Sequence, residues 1–299
     1  VIAPFAWELV PERWFLNIGN RELEIGPFRS QEQAMKRRQW LWQGSLALGG
    51  ALGGWAGFGD RPARAATRWS YDGPTGPNHW SELDPAFAAC GLGQRQSPID
   101  LAAQKQLGPV DLRLDYQSVP LTARNTGRSI FVDCPPGTCT LHLGDRPHDL
   151  LQFHFHHPSE HHRAGRTFPA EVHFVHRDRA GSLLVLGLWL TAAPTQTAAS
   201  QLDRAAPQLL QDLLARAPIA LGSSLDRAWQ GNPADLLPPI PRSLYHYQGS
   251  LTTPPCSEGV TWLLFPEPQA IAPALLTELQ TRLGTNARPL QAQLATPKA

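Results

Sequence analysis

Residues 149–157 read DLLQFHFHH, and residues 170–175 read AEVHFV. Successive side chains of a β-strand point to opposite faces. Gln152, His154 and His156 therefore share one face of the first segment, while Leu151, Phe153 and Phe155 share the other. The same rule groups Glu171, His173 and Val175 against Val172 and Phe174. Each segment thus has a polar face and a core face. Two neighbouring strands of this kind can present three imidazoles to one point, and three neutral imidazoles make a tetrahedral zinc site that keeps a fourth position for water. Ligating imidazoles donate their second N–H to an outer acceptor. Gln152 and Glu171 are placed to accept from His154 and His173.

Outward from these segments, nine of the eleven histidines fall between residues 142 and 176. Most carry no ligand signal. His157, His162 and His176 read as surface or core polar groups, and His142, His148 and His246 stand alone. The chain has 299 residues, 42% hydrophobic and 17% charged, with a formal charge of +1. Near-neutral charge without a Lys/Arg stripe argues against nucleic acid as a partner. The 29 prolines and 25 glycines, spread along the chain, favour many short elements, mainly β. Strand-like runs recur at 128–132, 139–143, 149–157, 170–176, 183–191 and 258–265. Leucines at helical spacing predict short packing helices at 206–216 and 272–283. One domain, 66–299, is expected, since no repeat or linker interrupts it.

The amino-terminal fifth reads differently. Met35, the only methionine, opens MKRRQWLWQGSLALGGALGGWAGFGDRPARAA, with a basic start, a modestly apolar middle and a small-x-small end. That pattern predicts a signal peptide over 35–65, cleaved after Ala65, and an exported, periplasmic or extracellular protein. The Arg37-Arg38 pair suggests the twin-arginine route. Gln43 and the repeated glycines leave too short an apolar run for a comfortable membrane span, so no stable insertion is expected after processing. Residues 1–34 read as an upstream extension of the reading frame without ordered structure. Four cysteines in an exported chain suggest disulfides, and the sequence alone allows three pairings. None has the C-x-x-C spacing of a structural zinc site.

Five segments together resemble the α-class carbonic anhydrases: QRQSPIDL at 94–101, LLQFHFHHPSEH at 150–161, AEVHFVH at 170–176, YQGSLTTPPCSEGVTW at 247–262 and NARPLQ at 286–291. The resemblance runs from about Trp69 to Gln291. It implies a large twisted, mostly antiparallel central sheet with short peripheral helices and a conical cavity at its middle. It also implies one Zn2+ per chain on His154, His156 and His173, and attack of zinc-bound hydroxide on carbon dioxide to give bicarbonate. Zinc brings the pKa of bound water to about 7, a value that belongs to the family rather than to this sequence.

Further roles follow only from the resemblance. Thr252 matches the gatekeeper that accepts a hydrogen bond from hydroxide and donates to Glu160. Val175, Val185, Leu251, Val260 and Trp262 match the apolar wall for carbon dioxide. Thr253 matches a bicarbonate contact, Tyr71 and Tyr247 match tyrosines near the site, and His161 a buried hydrogen-bonding histidine. His79 and Trp80 match a packing motif of the amino-terminal arm. Cys90 and Cys256 match a bridged pair that would brace the Thr252 loop. By their spacing, not the resemblance, Cys134 and Cys139 flank PPGT and read as a second pair closing a hairpin, with free thiols the alternative. Ser97-Pro98 and Pro254-Pro255 match cis bonds. The oligomer is expected to be a monomer or homodimer.

One position departs from the family. Its usual proton-relaying histidine is replaced by Arg128, in ARNTGRSIFV, and Thr126 and Phe131 stand where other polar residues are common. Arginine cannot release a proton near neutral pH. Turnover is therefore expected to be limited by proton export and rescued by small buffers. The competing readings are a non-catalytic binding or storage protein on the same scaffold, whose relatives typically lack a metal ligand, and a zinc hydrolase, whose helical H-E-x-x-H is absent.

Overall fold

The computed structural model describes residues 15–17, 22–24, 67–101, 107–193, 205–218, 220, 222–224 and 228–292. The signal-peptide segment and its cleavage point lie outside the described residues. The chain divides into two units, Val1–Arg64 and Ala65–Ala299. In the first, where no ordered structure is expected, β1 (Phe15–Asn17) and β2 (Glu22–Glu24) pair antiparallel, with Leu16 opposite Leu23.

The second unit holds β3 (Asp100–Leu101), β4 (Leu107–Pro109), β5 (Leu112–Asp115), β6 (Val119–Asn125), β7 (Ile130–Asp133), β8 (Thr140–Leu143), β9 (Arg146–His156) and β10 (His162–Arg163). It continues through β11 (Ala170–Arg177), β12 (Leu183–Ala192), β13 (Trp229–Gly231), β14 (Ser243–Ser250), β15 (Glu258–Leu264) and β16 (Gln269–Ile271). Twelve of these form one mixed sheet in the order β13-β6-β7-β9-β11-β12-β15-β14-β4, with β8 joining β5 to β9, and β16 beside β12. Only β12 with β15 and with β16 run parallel in it; its other pairs are antiparallel.

Every strand-like run read from the sequence holds a strand, within two or three residues at each end. The helices occupy Ala205–Arg216 and Pro273–Leu283. Leu209, Leu210, Leu213 and Leu214 of the first are buried at helical spacing, as are Leu276 and Leu279 of the second. The second helix begins on Pro273, whose missing N–H costs nothing there. It ends at Gly284, whose φ of 59° lies in the left-handed region and whose N–H donates to the Gln280 carbonyl at 3.0 Å.

Both faces of the sheet are covered. One carries Phe153, Phe155, Val172, Phe174, Leu186 and Leu188 into a core shared with the two helices. The other carries Val175, Val185, Trp189, Tyr247 and Trp262 into a second cluster beside the polar side chains. Each such side chain contributes about 1.5–3 kcal/mol when fully buried. Simple alternation fails at two places among the described strands, one of them where β14 pairs with β15 at Gly249 and Ser250 and the other between β9 and β11. The β9–β11 register passes from Gln152 opposite Val175 to Leu150 opposite His176, so Leu151 is skipped in a bulge. Leu150, not Leu151, joins the core with Phe153 and Phe155.

Cys90 and Cys256 form a disulfide. Cys134 and Cys139 do not: both are free and buried, which corrects the expected second bridge. The backbones at both ends of PPGT are tied to the same edge of β9, Cys134 N–H to Leu151 O and Leu150 N–H to Cys139 O. The Cys139 thiol turns instead to the Gln117 carbonyl, 3.7 Å away. Ser97-Pro98 and Pro254-Pro255 are cis, and His157-Pro158 is a third cis bond.

Candidate metal centre

Antiparallel pairing of β9 with β11 sets His154 opposite His173 and His156 opposite Glu171. Three rings converge there: centroids are 5.0 Å apart for His154–His156, 5.4 Å for His154–His173 and 4.6 Å for His156–His173. One ring nitrogen from each lies within 4.8 Å of the other two.

The second nitrogens show which ones point inward. His154 Nδ1 donates to Gln152 Oε1 (2.9 Å), His156 Nδ1 to the Asn286 carbonyl (2.8 Å) and His173 Nε2 to Glu171 Oε1 (2.7 Å). Each bond fixes a tautomer and leaves a lone pair on the opposite nitrogen: Nε2 of His154, Nε2 of His156 and Nδ1 of His173. His156 Nε2 is buried with no hydrogen-bond partner. Burial first, then the neighbouring imidazoles, holds His154 well below the usual imidazole pKa, and burial also lowers His156 despite Glu160 nearby. Neutral rings with converging lone pairs suit a divalent ion.

A second buried group, His161, Glu171 and His173, has metal-like proximity. It is saturated internally. Glu171 Oε1 accepts from both His161 Nδ1 and His173 Nε2 at 2.7 Å, while Oε2 accepts the His161 N–H at 2.9 Å. Burial alone would raise the Glu171 pKa, but His161 and His173 hold it well below the usual carboxylate value. His161 Nε2 and the Tyr247 hydroxyl lie 2.7 Å apart, and that hydroxyl also meets Ser97 Oγ at 2.7 Å.

The three inward nitrogens face a cavity of about 200 Å³ lined in part by Val175, Val185, Leu251, Trp262, Thr252 and Thr253. Tyr71, Gln152, Arg128 and Phe131 line it too. Val260, expected on that wall, is 1% exposed and packs behind it with Val185 and Trp262. Glu160 is buried, accepts the Arg288 N–H on Oε1 at 2.9 Å and leaves Oε2 without a partner. No hydrogen bond joins it to Thr252 among the described residues. The loop bearing Thr252 is closed by Leu251 N–H to Ser257 O and Cys256 N–H to Thr253 O, with Cys256 at a left-handed φ of 56°.

Two contributors escaped the sequence reading of the site, and a third, Phe131, was read there only as standing where polar residues are common. Asn286 accepts from His156 while its side-chain amide donates to the carbonyls of Arg128 and Phe155 and accepts the His157 N–H. Arg288 carries Glu160 and donates to the carbonyls of Ser97 and Cys90, its pKa lowered to about 10 by burial. Phe131 stacks on His154. Asn286 and Arg288 sit in NARPLQ, more than a hundred residues from the histidines, where no spacing rule could connect them.

A sheet with three converging, individually oriented imidazoles on a mostly apolar cavity defines a candidate metalloenzyme. The comparisons are more specific. Residues 75–296 match the eukaryotic-type carbonic anhydrase family, and the chain belongs to it. A carbonic anhydrase of Nostoc sp. is 37% identical over 238 residues, covering 77% of this chain and 85% of that protein. The Photobacterium profundum α-carbonic anhydrase structure is 39% identical, with a TM-score of 0.65, covering 76% of this chain and 98% of that one. An α-carbonic anhydrase from Thermovibrio ammonificans, solved with the inhibitor sulfanilamide, is 33% identical with a TM-score of 0.67, covering 77% and 98%. The fold and the carbonic anhydrase family expected from the five motifs are thus shown.

Proposed function

We propose that this protein hydrates carbon dioxide reversibly to bicarbonate and a proton at one zinc ion held by His154 Nε2, His156 Nε2 and His173 Nδ1. The observation that carries the reading is the set of three converging lone pairs, each imposed by a hydrogen bond on the far side of its ring. When bound, the ion supplies Lewis-acid activation of water near neutral pH.

The chain's own residues supply the rest. Neutral imidazoles leave the ion its full charge, which thiolates would offset. Val175, Val185, Leu251 and Trp262 offer carbon dioxide, which has no net dipole, an apolar surface free of competing water. Thr252 Oγ1 accepts a hydrogen bond from the O–H of the attacking oxygen and donates its own O–H to Glu160. Oε2 of Glu160, buried and without a partner, is the acceptor in this reading, and Arg288 holds the other oxygen so that it cannot turn away. Thr253 contacts bicarbonate beside it.

Export is also part of the reading. The disulfide is compatible with an oxidising compartment. No helix among the described residues is long and apolar enough to cross a membrane.

The deciding experiment measures zinc content and carbon dioxide hydration before chelation, after it and after zinc return. Activity that disappears and recovers with about one zinc per chain is expected. A zinc-replete protein that stays inert overturns the reading and favours a binding role.

A further inference from the structure

Resting on the function proposed above, the route of the proton can be followed further. Among the described residues, the side chains lining the metal cavity include no imidazole beyond the three that converge. Tyr71 cannot stand in: burial, then Glu160, pushes its hydroxyl well above the usual phenol value, with only Arg128 opposing. A proton acceptor must therefore arrive from solution.

What meets it at the mouth is Arg128. Its guanidinium stacks over the Trp69 ring at 4.2 Å, and its Nε donates to the Trp69 carbonyl at 3.1 Å. Trp69 is itself braced edge-on by Tyr71 and Trp80, at 5.5 and 5.2 Å. The terminal nitrogens of Arg128 have no partner among the described residues. Arg128, Trp69, Tyr71 and Thr126 line both the metal cavity and an adjoining recess of about 380 Å³ that includes Asp72 and Thr285. A guanidinium held on a platform with its fork open is a group for binding oxyanions through paired N–H bonds.

We propose that this recess is a docking site for small oxyanion buffers, held by the terminal nitrogens of Arg128, and that they are the enzyme's preferred proton acceptors. A phosphate dianion takes up the proton delivered from the cavity and leaves as the monoanion. Binding weakens as its charge falls, so release follows transfer. Asp72, exposed on the same recess and not ion-paired with Arg128, opposes tight binding and keeps exchange fast. A near-neutral net charge gives little long-range attraction, which leaves selection to this local contact.

The test uses the zinc-loaded protein and inorganic phosphate, with binding followed by phosphorus NMR line broadening and turnover by stopped flow. Arg128→Gln is expected to weaken phosphate about tenfold, and Asp72→Asn to tighten it. Phosphate should accelerate wild-type hydration to saturation at about tenfold lower concentration than neutral imidazole. Arg128→Gln should lose that advantage and keep its imidazole response. Sulfate, which cannot accept a proton near neutrality, should compete without accelerating. Arg128→Lys, which keeps the charge and loses the fork, should retain an intermediate affinity and guards against a misfolded Gln variant. Phosphate affinity unchanged in Arg128→Gln overturns the proposal, as does equal loss of the phosphate and imidazole responses. Binding and turnover are separate readouts: an inert enzyme that binds phosphate through Arg128 would sink the catalytic reading while leaving the dock in place.

Discussion

The His154 imidazole lies stacked on the ring of Phe131, centroids 4.7 Å apart and planes 19° from parallel, because β7 pairs with β9 in a register that sets the two residues opposite each other. Arg124 stands over the Phe131 ring at 5.4 Å and is also paired with Asp133. The stack restrains the ring plane of an expected ligand. Phe131→Ala should weaken zinc binding about two- to tenfold, from the roughly 0.5–1.5 kcal/mol such a ring pair contributes. Competition against a chelator measures it. An unchanged affinity would show that Gln152 alone orients the ring.

Glu171 serves two rings through one oxygen, so its loss should be felt at the metal before it is felt in the fold. Glu171→Gln keeps the shape but puts an N–H where one acceptor stood. Zinc affinity should fall about 10- to 100-fold, the usual cost of losing an outer partner of a ligating histidine. The same chelator titration reads it, with circular dichroism to verify the sheet. Gly187, in register with His173, supplies the room: a Cβ there would stand 3.4 Å from Glu171 Oε1 and 3.1 Å from Leu264.

Stability should fall on the acid side through a histidine outside the metal centre. Burial drives the His176 pKa down to about 3. The unfolded chain binds a proton there below about 6.5, while the folded chain stays neutral until about 3. The unfolded state therefore holds more protons in that window, and stability declines as pH drops through it. The loss reaches about 3 kcal/mol by pH 4. His176→Gln should lower stability at pH 7, by removing contacts to Tyr116 and the Leu184 carbonyl, and flatten the decline between pH 6 and 4. Urea unfolding at several pH values checks both.

The disulfide ties the amino-terminal arm to the loop after Thr252. Reduction, or Cys90→Ser with Cys256→Ser, should cost about 2–4 kcal/mol of stability. It should also release Cys256 from its left-handed conformation and raise amide exchange over residues 251–257 ahead of global unfolding. Exchange that rises uniformly across the sheet would assign the bridge a purely global effect.

What the sequence disclosed and what it withheld divide along physical lines. His154, His156 and His173 were legible because strand alternation is local: residues two apart share a face whatever lies beyond them. Within β9 alternation broke at Leu151, where a bulge inserts one residue, and a bulge has no marker in DLLQFHFHH. Val119–Asn125 was not read as a strand because Pro120 and Arg124 interrupt its pattern, although its outer edge at Pro120 faces β13, a strand of only three residues. The Cys134–Cys139 bridge was expected from spacing alone, but spacing says nothing of where the thiols turn. Asn286 and Arg288 reach His156 and Glu160 through backbone atoms, whose chemistry every residue shares.

Arg128 allows the reverse experiment as well. An imidazole at this position, at the mouth shared by the cavity and the recess, can accept and release a proton near neutral pH, which a guanidinium cannot. Arg128→His should therefore raise turnover at low buffer concentration by about tenfold, a modest share of what positioned acid–base groups contribute. Its dependence on imidazole should become shallower than the parent's, because an internal relay then competes with the external one. The phosphate advantage should shrink, since the fork that docks it is gone. Stopped-flow turnover against imidazole concentration, for parent and variant, separates these effects. A flat response in both would mean that proton export does not limit the reaction, and the residue at position 128 would then matter for packing on Trp69 alone.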